Sequence, residues 1–405
     1  MRSCFDGLNG TKAVGIDGVT KDEYRKDLEK NLVGLSDRLK RRGYLPQTKR
    51  RSYIPKPGSE KGRPLAISVF EDKIVEEAVK RVLEQIYEPM FRDCSYGYRE
   101  NRSPHQCIDA IGKTIQQKRI NHVVEADIRS FFDRLNWEWL MKFLKHRIGD
   151  ERLLRLIMRM LKAGIMEEGL THASEEGAPQ GSIVSPILSN VYLHYVLDVW
   201  FEKRVKPHAK GEAHLFRYAD DFLCAFQFKE EAEVFERTLK DRLEGFGLEI
   251  APEKTRRMEY GPYAVQNAKR KDENRPSFTF LGFTHYCGQT RHGVFKVKRH
   301  TSVKKFRAKL REYTEWIRKA RAKMTTGELM RRAKARIQGH LNYYAITDNS
   351  YMCNVYRYWF TRITFKWLNR RSQRQSYNWE EFNQMLKDVS WPQVRIKVNL
   401  CPFRT

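Results

Sequence analysis

The sequence predicts an α+β fold, with a strand-rich middle between two parts in which helices dominate. The strongest strand signals lie between residues 120 and 290. Apolar residues at helical spacing precede this region at 72–91 and return beyond about residue 300. With 405 residues and 40% hydrophobic content, the chain is long enough to build two or three lobes with real cores.

The first part, up to about residue 110, combines turns, short strands and one long helix. Residues 15–18 (Gly-Ile-Asp-Gly) predict a turn, and residues 51–57 predict a short strand that prolines end. A flexible tip at 58–62 then leads into the segment 63–67. From 72 to 91 the apolar residues lie on one face and charged residues on the other, which predicts an amphipathic helix.

The middle part predicts strands that carry acidic residues. Residues 122–128 form a strand signal that contains a carboxylate near its end, and a helix is expected over 137–161. Residues 216–226 are apolar on both sides of an acidic pair, which favours a hairpin with the carboxylates at its tip. A helix over 230–246 follows, and Gly247 suits its C-cap.

A further strand at 278–283 ends the middle part, and beyond it the pattern is helical and basic. One amphipathic face spans 303–317, and two more helices are predicted over 326–342 and 351–368. Residues 296–405 hold 26 Lys+Arg and 7 Asp+Glu, which is a net +19 of the chain's +27. Cations mixed with Trp and Tyr suit a groove that follows phosphates and stacks bases. This distribution favours a nucleic-acid partner over an unliganded basic surface, although charge does not distinguish RNA from DNA.

The sequence argues against several other classes of protein. No apolar run approaches the ~18–20 residues of a membrane span, and the first residues contain no apolar signal core, so a cytosolic protein is expected. The seven cysteines lie far apart without a C-x-x-C pair, which disfavours a disulfide framework or a zinc ribbon. The chain also lacks the H-E-x-x-H, G-x-S-x-G and Walker A motifs of metalloproteases, hydrolases and ATPases.

Acidic residues at two places in apolar surroundings are the strongest chemical signal. Asp220 and Asp221 lie within an apolar segment, and Asp127 lies near the end of the strand predicted at 122–128. Like charges in a half-buried strand are costly unless a cation compensates them, and hard oxygen ligands select Mg²⁺. Two neighbouring strands ending in carboxylates can hold two Mg²⁺ ions roughly 4 Å apart, which activates a hydroxyl and stabilises a leaving group. An acidic surface turn is the alternative for an isolated Asp-Asp pair.

A series of motifs resembles the bacterial group II intron-encoded reverse transcriptase/maturase family. Tyr-Ala-Asp-Asp at 218–221 resembles the polymerase signature of reverse transcriptases. The other motifs, in chain order, are I-P-K-P (54–57), R-P-L-A-I (63–67), S-Y-G-Y-R (95–99), D-I-R-S-F-F-D (127–133), G-A-P-Q-G-S-I-V-S-P-I-L-S-N (177–190), Lys254-Thr255, F-L-G-F (280–283), I-Q-G-H-L-N-Y-Y (337–344) and W-L-N-R-R-S (367–372). The resemblance covers roughly residue 13 to the end, and the order and spacing of the motifs are together highly specific.

The resemblance implies a right-hand polymerase fold. Its parts would be fingers at 1–120, a palm with an antiparallel sheet at 121–290, and a basic helical thumb/maturase region at 291–405. It implies an enzyme of the bacterial cytosol or nucleoid that copies an RNA template into DNA from a DNA or RNA primer, using deoxynucleoside triphosphates and two Mg²⁺ ions, for which Mn²⁺ can substitute. It further implies that structured intron RNA is bound to assist splicing and mobility. Protein partners are unspecified, with a homodimer left open.

Carried over position by position, the resemblance implies roles for particular residues. The catalytic and metal-binding set is Asp127, Asp220 and Asp221, with the backbone carbonyl of Ile128 as a further ligand. The set that would bind the incoming nucleotide is Lys56, Arg63, Phe132, Gln180 and Lys254, among which Phe132 would be an aromatic gate against the 2′-hydroxyl. The set that would contact template or primer is Ser95, Tyr96, Arg99, Phe280, Leu281 and Gly282.

Plainer alternatives stay open for many of these residues. Phe132 is equally an ordinary core residue, because either it or Phe131 is expected to pack inside. The cations expected at the nucleotide could be surface residues, the segment 95–99 could be a structural turn, and 280–283 could be an apolar strand under the palm. Ala66 and Ser68 stand where the family usually has Gly and Pro, which loosens the argument for the fingers loop.

Two other functions also stay open. Only a dozen residues precede Ala13, so we expect the family's N-terminal extension to be short or missing, and no H-N-H-type endonuclease is expected at the other end. The short start favours a domesticated reverse transcriptase that works in phage defence, CRISPR spacer acquisition or DNA repair. A function of another class is an RNA-binding splicing factor with a vestigial polymerase site, against which the three intact aspartates argue.

Overall fold

The computed structural model of the protein describes residues 1–54, 62–167, 170–172, 176–371 and 376–400. Its α-helices in these ranges are α1 Arg2–Gly7, α2 Lys21–Lys26, α3 Leu28–Lys40, α4 Phe70–Tyr87, α5 Pro104–Gln117, α6 Trp137–Lys145, α7 Glu151–Lys162, α8 Ser185–Leu193, α9 Lys229–Glu244, α10 Ala264–Arg270, α11 Val303–Ala320, α12 Thr326–Tyr344, α13 Ser350–Leu368 and α14 Trp379–Asp388. The strands are β1 Lys49–Ile54, β2 Arg63–Ile67, β3 His122–Asp127, β4 Ile165–Glu167, β5 Leu170–His172, β6 Ala213–Tyr218, β7 Asp221–Phe226, β8 Arg256–Glu259, β9 Ser277–Phe280, β10 Phe283–Gln289 and β11 Phe295–Thr301. Within the described residues, no helix combines the length and the hydropathy that a membrane-spanning segment requires.

The chain divides into two compact units. Unit 1 comprises residues 1–107 and 122–258, and unit 2 comprises residues 108–121 and 259–405. The expected division into fingers, palm and thumb is not tested by these two units, and it stays a prediction. The mixture of helices and sheets agrees with the expected α+β class.

Unit 1 contains two sheets that carry the predicted motifs. The first has the order β2-β1-β4-β5, in which β1 pairs antiparallel with β2 and parallel with β4. The second has the order β6-β7-β3-β8, in which β7 pairs antiparallel with both β6 and β3. Five of the six residues of β7 are buried. The core of unit 1 therefore includes the strands that lead into the acidic turn.

The amphipathic pattern of α9 covers this second sheet, because α9 packs on β3 and β7. The residues that α9 buries recur at helical spacing and are Ala232, Phe235, Leu239 and Leu243. At the end of the helix, Gly247 has a φ of 75°. Its N–H donates to the Glu244 carbonyl at 3.0 Å, and the Leu248 N–H donates to the Leu243 carbonyl at 2.9 Å. These two bonds are those of a Schellman motif, so the C-cap role predicted for Gly247 is confirmed.

The single helix predicted over 137–161 is wrong. The chain forms α6 and α7 instead, and Asp150 lies between them as the N-cap of α7. Its carboxylate accepts hydrogen bonds from the backbone N–H groups of Arg152, at 2.7 Å, and Leu153, at 3.4 Å. The Gly149-Asp150 pair was a usable signal for this break, because Asp is among the strongest N-cap residues.

The strand predicted at 51–57 is present as β1 up to Ile54, and its prolines lie outside the described residues.

Unit 2 contains a three-stranded antiparallel sheet of order β11-β10-β9 and the helices α11 to α14. The three helices predicted beyond residue 300 are confirmed as α11, α12 and α13. The continuous strand predicted at 278–283 is wrong, because Leu281 and Gly282 have φ angles of 49° and 82° and form a two-residue turn between β9 and β10. The Tyr343 hydroxyl donates to the Leu281 carbonyl at 2.8 Å and ties this turn to α12.

Candidate active site

Two of the predicted aspartates are paired across neighbouring strands of the second sheet, and the third lies in the adjoining turn. β3 ends at Asp127 and β7 begins at Asp221, and these two residues are directly paired across the antiparallel ladder. Residues paired in this way have Cα atoms about 4.5–5.5 Å apart and side chains on the same face of the sheet. Asp220 lies in the turn between β6 and β7. The predicted hairpin with carboxylates at its tip is confirmed.

Lys254 lies beside Asp127 because the chain after α9 runs along the end of β3. The Ala251 N–H donates to the Asp127 carbonyl at 2.9 Å. The chain then makes a short 3₁₀ turn, Pro252–Lys254. At its end the Lys254 ammonium forms a hydrogen-bonded ion pair with the Asp127 carboxylate. The structure thus brings Lys254 to the acidic cluster, as its predicted role at the nucleotide requires.

The backbone carbonyl of Ile128 also points toward the acidic turn. Ile128 pairs antiparallel with Ile250, and the bonds that flank this pair involve the Asp127 carbonyl and the Arg129 N–H. In an antiparallel pair, a residue that lies between two such hydrogen bonds directs its own N–H and C=O away from the partner strand. The Ile128 carbonyl is therefore directed away from Ile250. Because β7 lies along that opposite edge of β3, the Ile128 carbonyl faces the side on which Asp221 stands.

Crowding and burial raise the pKa values of Asp220 and Asp221. Desolvation by the surrounding protein, followed by the charges of Asp220 and Asp127, raises the pKa of Asp221 to about 7. Desolvation is also the main cause that raises the pKa of Asp220, with the Asp127 charge adding to it and Arg63 and Lys254 opposing it. Asp221 is nevertheless exposed by surface area, so water screens part of its shift. The carboxylates therefore gain from any additional positive charge placed among them.

The oxygen atoms of this site suit a hard divalent cation. Three carboxylates and one backbone carbonyl are the ligands that Mg²⁺ and Mn²⁺ prefer. Among the residues that the structure describes, no three His, Cys, Asp or Glu side chains are already grouped so that they could hold a metal ion. The Lys254 ammonium takes part in neutralising Asp127, and its side chain is 58% exposed. A solvent-exposed lysine can move aside without unpacking the core, so the ion pair does not prevent a cation from reaching the Asp127 carboxylate.

A buried polar network behind the acidic turn was not predicted from the sequence. Arg217, the last residue but one of β6, pairs with Asp198, and neither side chain has exposed surface. Arg217 Nη1 also donates to the carbonyl of Ala219, the residue directly before Asp220, at 3.1 Å. The local signal for such a network was an arginine in a largely apolar strand, directly before the Tyr-Ala-Asp-Asp motif.

The structure gives Ser95, Tyr96 and Arg99 internal contacts, and the template contacts that the resemblance implies for them stay a prediction. Ser95 is fully buried and its hydroxyl accepts from Arg217, and Tyr96 is also buried. The Arg99 guanidinium donates to the Arg92 and Ser95 carbonyls at 2.8 and 2.9 Å and pairs with Glu88. The segment packs beside β6, as the alternative of a structural turn expects.

Tyr98, in the same segment, lies near the acidic turn, and the template contact that the family resemblance implies for it stays a prediction. Its side chain is half exposed at a φ of 57°. Burial of its hydroxyl, together with the nearby charge of Asp220, raises the pKa of Tyr98, and Arg63 partly opposes this. Tyr98 and Arg63 therefore share the neighbourhood of the acidic turn. Arg63 itself is exposed at the start of β2.

Gln180 lies in a loop that is fixed against the first sheet. Its carbonyl accepts from the Ala66 N–H of β2 at 2.6 Å. Gly181 has a φ of 104°, and a Cβ there would lie 3.0 Å from the Ala66 carbonyl, so the close approach requires glycine. Further along the loop, the Ile183 N–H donates to the carboxylate of Glu76 at 2.9 Å. Gln180 is thus fixed against β2, the strand whose first residue is Arg63.

Phe131 and Phe132 have different environments. Phe131 is 2% exposed and packs edge-on to Tyr192 in the core. Phe132 is partly exposed, and its carbonyl accepts from the Ala178 N–H at 2.7 Å. Of the two rings, Phe132 is therefore the one available to a substrate, while its role as the sugar gate stays a prediction.

The remaining predicted residues are not tested by this arrangement. Lys56 lies outside the described residues. Phe280 is buried at the end of β9, and Leu281 and Gly282 form the turn that follows, where a Cβ on Gly282 would lie 2.7 Å from the Tyr344 hydroxyl. Their predicted contact with primer stays a prediction.

Comparison with known proteins identifies two family domains in the chain. Residues 54–285 match the family described as reverse transcriptase (RNA-dependent DNA polymerase). Residues 303–384 match the maturase-specific domain of group II introns. The first match includes all three aspartates, and the second covers α11 to α13 together with part of α14.

Individual relatives agree with this result. The group II intron-encoded protein LtrA of Lactococcus lactis subsp. cremoris is 38% identical over 190 residues, which is 47% of this chain and 31% of that protein. The protein YkfC of Escherichia coli K12 is 34% identical over 265 residues, covering 58% of this chain and 69% of YkfC. The match thus spans less than a third of LtrA. Among solved structures, an apo telomerase from Candida tropicalis aligns with 62% of this chain and 55% of its own at 15% identity, with a TM-score of 0.48.

Proposed function

The chain belongs to the reverse transcriptase family and carries a group II intron maturase domain, and on this premise we propose that it is an RNA-directed DNA polymerase that also binds intron RNA. The observation that carries the polymerase activity is the direct pairing of Asp127 with Asp221, next to Asp220. The enzyme would extend a DNA or RNA primer on an RNA template with deoxynucleoside triphosphates.

The oxygen cluster supports a two-metal site. Asp127, Asp220, Asp221 and the Ile128 carbonyl would hold two Mg²⁺ ions, or Mn²⁺ in their place. Such ions, when bound, make the primer 3′-hydroxyl a better nucleophile and stabilise the pyrophosphate leaving group. The chain itself supplies a rigid pair of strand ends, because β3 and β7 are held in register over six residue pairs. It also supplies Lys254 as a cation that can shift from Asp127 toward a triphosphate.

The surroundings of this cluster support a nucleotide pocket in unit 1. Arg63 is close enough to influence the Asp220 carboxylate, and a fixed guanidinium would offset the negative charge of a triphosphate. Gln180 would lie over the nucleotide from its anchored loop. Phe132 would lie under the sugar and exclude a 2′-hydroxyl, which selects deoxynucleotides. Lys56 stays part of this proposal on the strength of the family resemblance.

Unit 2 supports RNA binding by the maturase domain. Tyr351, Tyr358 and Trp359 are exposed on α13, and the Arg362 guanidinium lies 5.5 Å from the centre of the Tyr358 ring. Exposed aromatic rings beside cations can stack on unpaired bases while the cations contact phosphates. We propose that this part of the chain binds structured intron RNA and assists splicing.

The polymerase proposal is tested by Asp221→Asn, which removes one negative charge and keeps the side-chain size. Primer extension on poly(rA)/oligo(dT) should fall by about 100- to 1,000-fold, because preorganised electrostatic stabilisation is lost. RNA binding should stay near the wild-type level. Asp241→Asn changes an exposed acid on α9 and serves as the matched control, with activity expected to be unchanged.

Two outcomes would count against the proposal. Equal extension by Asp221→Asn and the control would remove Asp221 from the reaction. A wild-type protein that binds RNA tightly but extends no primer would favour the alternative of an RNA-binding splicing factor with a vestigial polymerase site.

A further inference from the structure

The strand that leads into the acidic turn contains an arginine with no exposed side-chain surface. Arg217 pairs with an equally buried Asp198 at 2.6 Å. Taking two charges out of water is costly, and apolar side chains of similar volume often serve stability equally well. The preceding residues Leu215 and Phe216 are buried and apolar, so the core alone does not require a charge at this position. Arg217 is also closed to solvent, which excludes direct contact with a nucleic acid.

All five N–H donors of Arg217 have an acceptor. Nε and Nη2 donate to the two carboxylate oxygens of Asp198 at 2.7 and 2.6 Å, and Nη2 donates in addition to Ser95 Oγ at 2.7 Å. Nη1 donates to Asn190 Oδ1 at 3.0 Å and to the Ala219 carbonyl at 3.1 Å. A lysine has three donors and no planar fork, so it cannot form the same set of bonds. The network is therefore specific for a guanidinium.

The Ala219 carbonyl is the point at which this network reaches the acidic turn. Ala219 has a φ of 58°, a left-handed conformation that is unfavourable for alanine and persists only where its surroundings impose it. Gly97 supports the turn from another direction, because a Cβ at Gly97 would lie 2.3 Å from the Ala219 nitrogen. Asn190 Nδ2 donates to the Gly97 carbonyl at 2.8 Å and joins both supports in one network.

We propose that the Arg217–Asp198 pair is a positioning device for the acidic turn, which fixes the Ala219 carbonyl and thereby the direction in which Asp220 and Asp221 present their carboxylates. The inference rests on the proposed polymerase function and adds to it two residues that do not touch substrate. The pair acts through backbone geometry. Its loss should therefore reduce turnover more than it weakens nucleotide binding.

The double variant Arg217→Met/Asp198→Leu separates positioning from stability. Replacing a buried ion pair by apolar residues of similar volume is often neutral for stability, but Ser95, Asn190 and the Ala219 carbonyl lose a donor, so the variant should unfold at a moderately lower denaturant concentration than the wild type. Its kcat for primer extension should fall by about 100-fold, because a misplacement of about 1 Å has that effect on an oriented reaction. KM for the nucleotide should change little. Backbone amides of residues 218–222 should exchange hydrogen faster, a readout independent of activity.

The single variant Arg217→Lys serves if the double variant does not fold. It keeps the charge but not the five bonds, so both kcat and the protection of residues 218–222 should fall. Leu35→Ala, in the buried face of α3, is the matched control for general destabilisation. It should lower stability while leaving kcat per folded molecule and the protection of the turn unchanged.

The outcomes are decisive for the pair. A folded variant with wild-type kcat and wild-type exchange at residues 218–222 would overturn the positioning role. The same would follow if Leu35→Ala reproduced both effects, because the changes would then reflect stability alone. A wild-type protein without polymerase activity would instead refute the proposed function, and the exchange measurement would still decide whether the pair holds the turn.

Discussion

Lys49→Met is expected to destabilise the protein strongly, because it leaves the buried carboxylate of Glu76 without its ion-pair partner. Lys49 on β1 and Glu76 on α4 form an ion pair of 2.8 Å with side chains only 1% and 2% exposed. Glu76 accepts further hydrogen bonds from Ser68 Oγ, at 2.8 Å, and from the Ile183 N–H, at 2.9 Å. Removing one partner of such a pair costs about 3–5 kcal/mol, since the remaining charge is buried and unpaired.

The effect of Lys49→Met should depend on pH in a defined direction. Burial by itself would raise the pKa of Glu76, but the Lys49 ammonium and the accepted hydrogen bonds hold this pKa below its ordinary value. In the wild type, Glu76 therefore stabilises the fold above its unfolded pKa, and this contribution is lost as the pH falls through the folded pKa. Without Lys49, burial raises the pKa of Glu76 above its unfolded value. The variant then gains stability relative to the wild type as the pH falls.

Urea denaturation at pH 8 and pH 5.5 measures this difference. The free energy of unfolding of Lys49→Met should lie about 3–5 kcal/mol below that of the wild type at pH 8, with a smaller gap at pH 5.5. Lys240→Met is the control, because Lys240 is 68% exposed and lies 3.9 Å from Glu244, so it should change stability by less than about 0.5 kcal/mol. A gap below about 1 kcal/mol at pH 8, or one that widens on acidification, would refute the argument.

Three further changes test the site and the RNA-binding surface. Phe132→Ala should raise ribonucleotide incorporation by about 10-fold or more without loss of folding, measured by primer extension with each nucleotide type; unchanged sugar discrimination would move the gate elsewhere. Gly97→Ala should abolish most extension activity, because its Cβ would meet backbone at 2.3 Å; wild-type activity would show that the turn tolerates displacement. Replacing the exposed cations Lys304, Lys305 and Arg331 by Gln should weaken the salt dependence of RNA binding. The slope of the logarithm of the binding constant against the logarithm of the salt concentration should fall by about 0.7–0.9 for each phosphate that is no longer neutralised. An unaltered slope would exclude these residues from the interface.

The acidic site could be predicted from sequence because its signals are local. Asp127 follows a continuous strand pattern, and Asp220 and Asp221 interrupt another, so each strand end is visible within a few residues. That the two strand ends are paired does not follow from either segment alone. It follows from the assumption that costly carboxylates in apolar strands share a compensating cation, and the register between Asp127 and Asp221 agrees with it.

The supports of the site could not be predicted in the same way, because they are long-range. Ser95, Asn190, Asp198 and Arg217 are separated by up to 122 positions and are brought together only by packing. Each is a polar residue in a buried place, so simple patterning would put it on the surface. The template contacts of Ser95 and Arg99 were implied by the family resemblance, which does not show that their polar atoms form hydrogen bonds inside the protein.

Unfavourable backbone conformations next to the acidic cluster show which level of structure decides its shape. Ala219, Tyr98 and Ser130 have φ angles of 58°, 57° and 47°, and each such residue costs on the order of 1–3 kcal/mol. Local preference therefore opposes the turn that carries Asp220. The contacts that impose it are tertiary, because the Gly97 backbone lies against Ala219 and the Arg217 guanidinium binds its carbonyl. The direction of the carboxylates is thus set by the buried network. Substitutions in that network should therefore lower the turnover rate, although its residues do not contact the substrate.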